Sequence, residues 1–128
     1  MKIFSIIFLC VFALTSQATV YTVTNTNTSG TGSLHAAITT ANTAPGAPHS
    51  IVFNIPVSDP NYNAVKGVWV INITNSSRLP YIIGSNITID GTTQTTNVGN
   101  NNPDGPEIVL DGGGSTDFCF FAMNAANI

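Results

Sequence analysis

Asn86-Ile87-Thr88-Ile89-Asp90-Gly91 and Glu107-Ile108-Val109-Leu110-Asp111-Gly112 are the stretches on which the fold reading turns, because the second repeats the first after 21 residues, turn included. Each is a short run with apolar side chains at alternate positions, closed by Asp-Gly. Ile87 with Ile89, and Ile108 with Leu110, share one face, while Thr88, Asp90 and Val109 point away. Upstream, Ile71 lies 16 residues before Ile87 and Ile51 lies 20 before Ile71, with Trp69-x-Ile71-x-Ile73 and Ile51-x-Phe53-x-Ile55 showing the same period of two. Strands that return at intervals near twenty, with no helix long enough for a βαβ crossover, predict an all-β chain built as a parallel β-helix. In such a solenoid each rung buries one face by stacking on the next. An immunoglobulin-like sandwich would instead place strands roughly every 8–12 residues and join them by hairpin turns.

On the N-terminal side the pattern changes. Thr19 to Thr24 (TVYTVT) reads as a strand, followed by a loop ending in Ser29-Gly30-Thr31-Gly32. Ser33 suits a helix N-cap, and Leu34, Ala37, Ile38 and Ala41 then recur at helical spacing. Pro45-Gly46 marks the stop. An open solenoid end would expose unpaired strand groups and an apolar interior, so this strand and helix are expected to cap it. The resulting division is a leader over 1–18, an N-terminal cap over 19–48 and the first rungs over 49–128.

The leader reading rests on Lys2, a dozen apolar residues from Ile3 to Leu14, and the small residues Ser16 and Ala18. These are the parts of a secretory signal peptide with cleavage after Ala18. The apolar run falls short of the roughly 20 residues that span a bilayer, and Cys10 lies within it rather than at a lipidation site. The chain is thus expected to be secreted or held at the outer surface of a bacterial cell, with no membrane span once the leader is gone.

Composition agrees with export of a strand-rich cargo. Only 7% of the residues are charged, and Thr, Asn, Gly and β-branched residues dominate, a vocabulary of strands and turns. Without Lys2, the two cations Lys66 and Arg78 face six acids, a net charge of −4. That balance excludes a basic patch for nucleic acid or anionic lipid. Cys119, among Phe118, Phe120 and Phe121, has no partner for an intramolecular disulfide in the mature chain and reads as a buried small hydrophobe.

The run Thr22-Val23-Thr24-Asn25-Thr26, Ser29-Gly30-Thr31-Gly32-Ser33-Leu34-His35-Ala36-Ala37-Ile38, Ala41-Asn42, Pro45-Gly46 and Ile51-Val52-Phe53-Asn54-Ile55 resembles the entry region of bacterial secreted right-handed parallel β-helix repeat proteins, whose fold is pectate-lyase-like. Leu79-Pro80-Tyr81-Ile82 and Asn86 to Gln94 (NITIDGTTQ) are similar to later segments of the same group. His35-Ala36 departs from the Arg and polar residue usual there. The resemblance implies the first few rungs of a right-handed β-helix behind a capping strand and short helix. Asn124 to Ile128 would open another rung, so the same reading expects the chain to continue.

Candidates for chemistry are sparse. His35 falls on the helix and His49 in a turn, and both read as solvated or capping residues. Asp90, Asp104, Glu107, Asp111 and Asp117 are the acids from which a glycosidase pair could come, although Asp90 and Asp111 before Gly suit turn caps. Asp111 to Asp117 (DGGGSTD) has the oxygen-rich, Gly-rich character of a calcium loop without the tandem repeat that would argue for one. The triplets at Asn27, Asn72, Asn75 and Asn86 match the N-glycosylation pattern. No catalytic, metal or cofactor set is assigned. The expected function is binding, adhesion or a structural role toward glycans or extracellular matrix. A polysaccharide lyase or hydrolase is the alternative, and it would need a site beyond Ile128, since lyase chemistry on acidic sugars calls for more cations than Lys66 and Arg78. Expression in a secreting bacterial host should yield a product whose first residue is Thr19 by intact-mass spectrometry; an exported chain retaining Met1 would refute the leader reading.

Overall fold

The computed structural model describes residues 18–44 and 48–114. The leader apart from Ala18, the Pro45-Gly46 stop, Asp117, Cys119 and the Asn124–Ile128 segment lie outside the described residues. Among those described, no helix is long and apolar enough to cross a membrane.

The order of elements is β1 (Thr19–Val23), α1 (Leu34–Thr43), β2 (His49–Phe53), β3 (Tyr62–Asn63), β4 (Val68–Asn72), β5 (Ile87–Asp90), α2 (Thr92–Val98) and β6 (Ile108–Asp111). They form two three-stranded sheets, β1-β2-β5 and β3-β4-β6. Pairing is parallel throughout the first sheet and between β4 and β6, and antiparallel between β3 and β4.

This is a small mixed α/β domain, and it corrects the all-β β-helix expected from the repeat. The two Asp-Gly segments do not stack on each other: β5 pairs with β2 in the first sheet and β6 with β4 in the second. Helix α2 stands between them, and β3-β4 is an antiparallel hairpin. Paired strands are also not about twenty residues apart, the partners being Thr19 with His49, His49 with Ile87, and Trp69 with Ile108. The repeat has a local origin instead. Asp90 Oδ1 accepts from the Thr92 backbone N–H at 3.0 Å, and Asp111 Oδ1 from that of Gly113 at 2.8 Å. Both segments are short strands ended by an aspartate that caps its own turn, and similar local chemistry produced similar sequence.

Helix α1 follows from its residues as expected. Ser33 stays extended (φ −81°, ψ 157°) and its Oγ accepts from the Ala36 N–H, which satisfies one of the donors a helix start leaves open. Leu34, Ala37, Ile38 and Ala41 are all buried, and the helix packs on β1 and β2. With no solenoid end to cover, α1 serves as a layer over the first sheet. Its last turn holds the chain ahead of β5, because Asn42 Oδ1 accepts from the N–H groups of Ile83 and Gly84 while its Nδ2 donates to Tyr81 O.

The alternating residues converge on one core. Val23, Ile51, Phe53 and Ile55 from the first sheet meet Trp69, Ile71 and Ile73 from the second, with Leu34 and Ile38 of α1. Each large side chain so buried contributes about 1.5–3 kcal/mol. Trp69 stacks near Tyr62, with ring centroids 4.5 Å apart, and its Nε1 donates to Pro56 O at 3.0 Å.

Helix α2 solves a different problem. Strand β5 pairs with β2 only as far as Val52, so backbone groups of Phe53 and Ile55 need other partners in the interior. Phe53 N–H donates to Thr93 Oγ1 (2.8 Å) and Phe53 O accepts from Asn97 Nδ2 (2.8 Å). Ile55 N–H donates to Gln94 Oε1 (2.9 Å) and Ile55 O accepts from Gln94 Nε2 (2.7 Å). Gln94 is fully buried, and its amide stands in for a strand residue. Gln94→Leu should leave two buried backbone groups without partners, each worth about 1–3 kcal/mol. We expect urea denaturation to show a loss of about 2–5 kcal/mol; a midpoint equal to wild type would refute the role of the amide.

Candidate functional site

Besides Gln94, the buried polar side chains among the described residues are Thr26, Ser33, His49, Asp59 and Glu107, and the last three must be accounted for before any is given a function. Asp59 ties two loops together. Its Oδ1 accepts from Thr26 Oγ1 (2.5 Å) and from Asn61 N–H (3.0 Å), and its Oδ2 from Thr26 N–H (3.1 Å). Asn61 Nδ2 completes the cluster by donating to Thr26 Oγ1. With its oxygens engaged in this way, the carboxylate is a structural clamp. Glu107, 5% exposed, accepts from Thr95 Oγ1 at 2.6 Å, and its backbone carbonyl receives Trp69 N–H at 2.7 Å. It fastens α2 to the start of β6.

His49 departs from the expected solvated turn. It opens β2, is 2% exposed, and has no hydrogen-bond partner on either ring nitrogen among the described residues. Its side chain points inward with Ile51 and Phe53 and lies 5.9 Å, centroid to centroid, from the Tyr21 ring. The other histidine, His35, is half-buried on α1, and its backbone carbonyl accepts from Thr39 Oγ1.

The acids singled out in the sequence divide among several places. Asp90 caps the turn into α2, and Glu107 is internal. Asp104 and Asp111 are brought together, since both line one groove on the outward face of the second sheet. Of the proposed calcium loop, Asp111 caps its turn through Gly113, and Asp117 lies outside the described residues. Among the described residues no three His, Cys, Asp or Glu side chains are grouped to hold a metal ion. Asn27, Asn72 and Asn75 are exposed, whereas Asn86 is half-buried with a left-handed φ of 56°.

The groove has a volume of about 740 Å³. Its floor is Val68, Val70 and Val109, the residues of β4 and β6 that alternate with the core-facing Trp69, Ile71, Ile108 and Leu110. One wall is the tip of the β3-β4 hairpin with Asn63 and Lys66; the other is the loop carrying Asn101, Asn102 and Asp104. The loop comes this close because of Gly67, which has φ +68° and whose missing Cβ would fall on the Asn101 carbonyl.

Several polar groups in the groove keep unused capacity. Asn63 Oδ1 accepts from the N–H groups of Val65 and Lys66, leaving its Nδ2 as a donor. Asn102 Nδ2 donates to Pro106 O, leaving its Oδ1 as an acceptor. The Lys66 ammonium and the Asp104 carboxylate make no ion pair with each other or with any other described residue. Donors and acceptors thus border an apolar floor. Sequence reasoning missed this set because Asn63 and the pair Asn101-Asn102 lie on two separate segments, far apart in the chain. The available signals were Gly67 between hairpin strands and the run Gly99-Asn100-Asn101-Asn102-Pro103-Asp104-Gly105, each typical of a loop held against something.

No protein-family model, curated protein or solved structure matches this chain.

Gly67→Ala would force both a collision with the Asn101 carbonyl and an unfavourable φ, so we expect a loss of about 1–3 kcal/mol. Gly91→Ala is the control, as a Cβ there meets open space at an ordinary φ of −69°. Equal melting temperatures for the two variants would refute the packing of the loop on the hairpin.

Proposed function

We propose that this chain is an exported binding protein that takes glycans in the groove over β4 and β6. The observation that carries the reading is the lining itself, in which amide donors and acceptors with unused capacity surround a floor of three valines. A sugar ring has the matching surface. Its C–H groups rest on apolar side chains, and its hydroxyls, each both donor and acceptor, use asparagine amides in either direction. The leader-like segment from Met1 to Ala18 and the low charge of the chain support a role outside the cytoplasm.

Asp104 and Asp111 lining the same groove favour a second reading, hydrolysis of the glycan by a carboxylate pair. The same experiment addresses both. The variant Asn63→Asp preserves the oxygen that caps the hairpin turn and removes the unused Nδ2 donor. We expect it to weaken binding of a neutral oligosaccharide about threefold to tenfold in calorimetry, the range of one hydrogen bond, with its melting temperature within a few degrees of wild type. Unchanged binding would refute the groove as the site, and release of reducing ends during the titration would favour the hydrolase.

A further inference from the structure

We infer that the groove selects by charge, accepting uncharged glycans and rejecting those that carry carboxylates. This rests on the glycan reading above and adds the class of sugar. The groove holds two carboxylates, Asp104 and Asp111, and one ammonium, Lys66. Asp111 lies on β6 in register with Asn72 of β4, so no cation faces it across the strand pair. Its Oδ1 accepts from Gly113 N–H, which leaves the charge in place. Asp104, exposed on the loop wall, accepts no hydrogen bond from a described residue, so solvent and salt alone screen its charge. Lys66, on the hairpin tip, also lines the groove and can offset one of the two acids. What remains is one negative charge over an apolar floor, in a protein whose formal net charge is −3.

The electrostatic consequence depends on what the ligand brings. A neutral sugar feels the acids only as hydrogen-bond acceptors, which suits its hydroxyls. A polyuronate carries one carboxylate per residue, and several would lie within a Debye length, about 10 Å at 0.1 M salt, of Asp104 and Asp111. Like charges brought together on binding oppose it and slow the encounter. The Val68, Val70 and Val109 floor gives an anion no compensating donor.

The test uses matched probes: hexasaccharides of glucose, mannose and galactose, each beside a counterpart whose C6 hydroxymethyl groups are oxidised to carboxylates. Affinities are measured by calorimetry at about 20 mM and about 500 mM salt, where screening lengths are roughly 20 Å and 4 Å. For the hexasaccharide that binds best, we expect a Kd that changes by less than about twofold with salt and a carboxylated counterpart at least about tenfold weaker at low salt. Added salt should narrow that gap. The double variant Asp104→Asn/Asp111→Asn, which keeps an acceptor for Gly113 N–H, should narrow it at low salt. Circular dichroism and the melting temperature confirm that the variant is folded. A carboxylated counterpart that binds as well as the neutral one, or a gap indifferent to both salt and the double variant, would overturn the charge selection while leaving the glycan groove intact. Absence of binding in every arm would overturn the glycan reading, and the selection with it.

Discussion

A buried peptide group must have a hydrogen-bond partner, and at Phe53 to Ile55 this constraint organises the molecule. Here the chain leaves the first sheet on its way to the second, in the interior, beyond the reach of β5. Thr93, Gln94 and Asn97 meet the need with side chains. Once they do, α2 has a fixed seat, the connection from β5 to β6 has a fixed path, and Glu107 can be tied to Thr95 where β6 begins. The two sheets then close on Trp69, Phe53 and the isoleucines between them. The groove depends on the same sequence of events, because the loop that follows α2 supplies one of its walls.

Local structure was largely legible in the sequence, and tertiary pairing was not. Ser33 and the spacing of Leu34, Ala37, Ile38 and Ala41 specify α1 through interactions within a few turns of the chain. Alternation likewise identified the inward side chains of β2, β4, β5 and β6. Which strand lies beside which depends on contacts tens of residues apart, and there the Asp-Gly echo misled, since each copy reflects a capped turn rather than a rung. Helix α2 was hidden for a complementary reason. Its sequence, TTQTTNV, is rich in threonine, a poor helix former, and what stabilises it is the backbone of β2. His49 was partly legible. The proline before it suggested a turn, but its place two residues before Ile51 and four before Phe53 puts it on the inward face.

The groove was invisible in the sequence because its residues have nothing in common except location. Asparagines in turns are ordinary, and only the approach of two loops over three outward valines gives them a joint surface. Gly67 is the residue that permits the approach, so a backbone requirement at one position determines the shape of a site whose chemistry is supplied by others. The interior acids are of another kind. Asp59 and Glu107 are occupied by hydroxyl and N–H donors and hold segments in place, which separates them from Asp104, whose carboxylate remains available in the groove.

The side-chain bonds from α2 to β2 also act as a stop. Strands with alternating apolar residues can slide along one another, and a shift by one position would turn the inward isoleucines of β5 toward solvent. On β2, the positions that β5 would enter by sliding toward Ile55 are already taken by Thr93, Gln94 and Asn97. Because α2 is joined directly to β5 through Gly91, the helix travels with the strand and blocks it with its own tether. The alignment of the first sheet is therefore enforced by a neighbour in sequence, as a ratchet is held by its pawl.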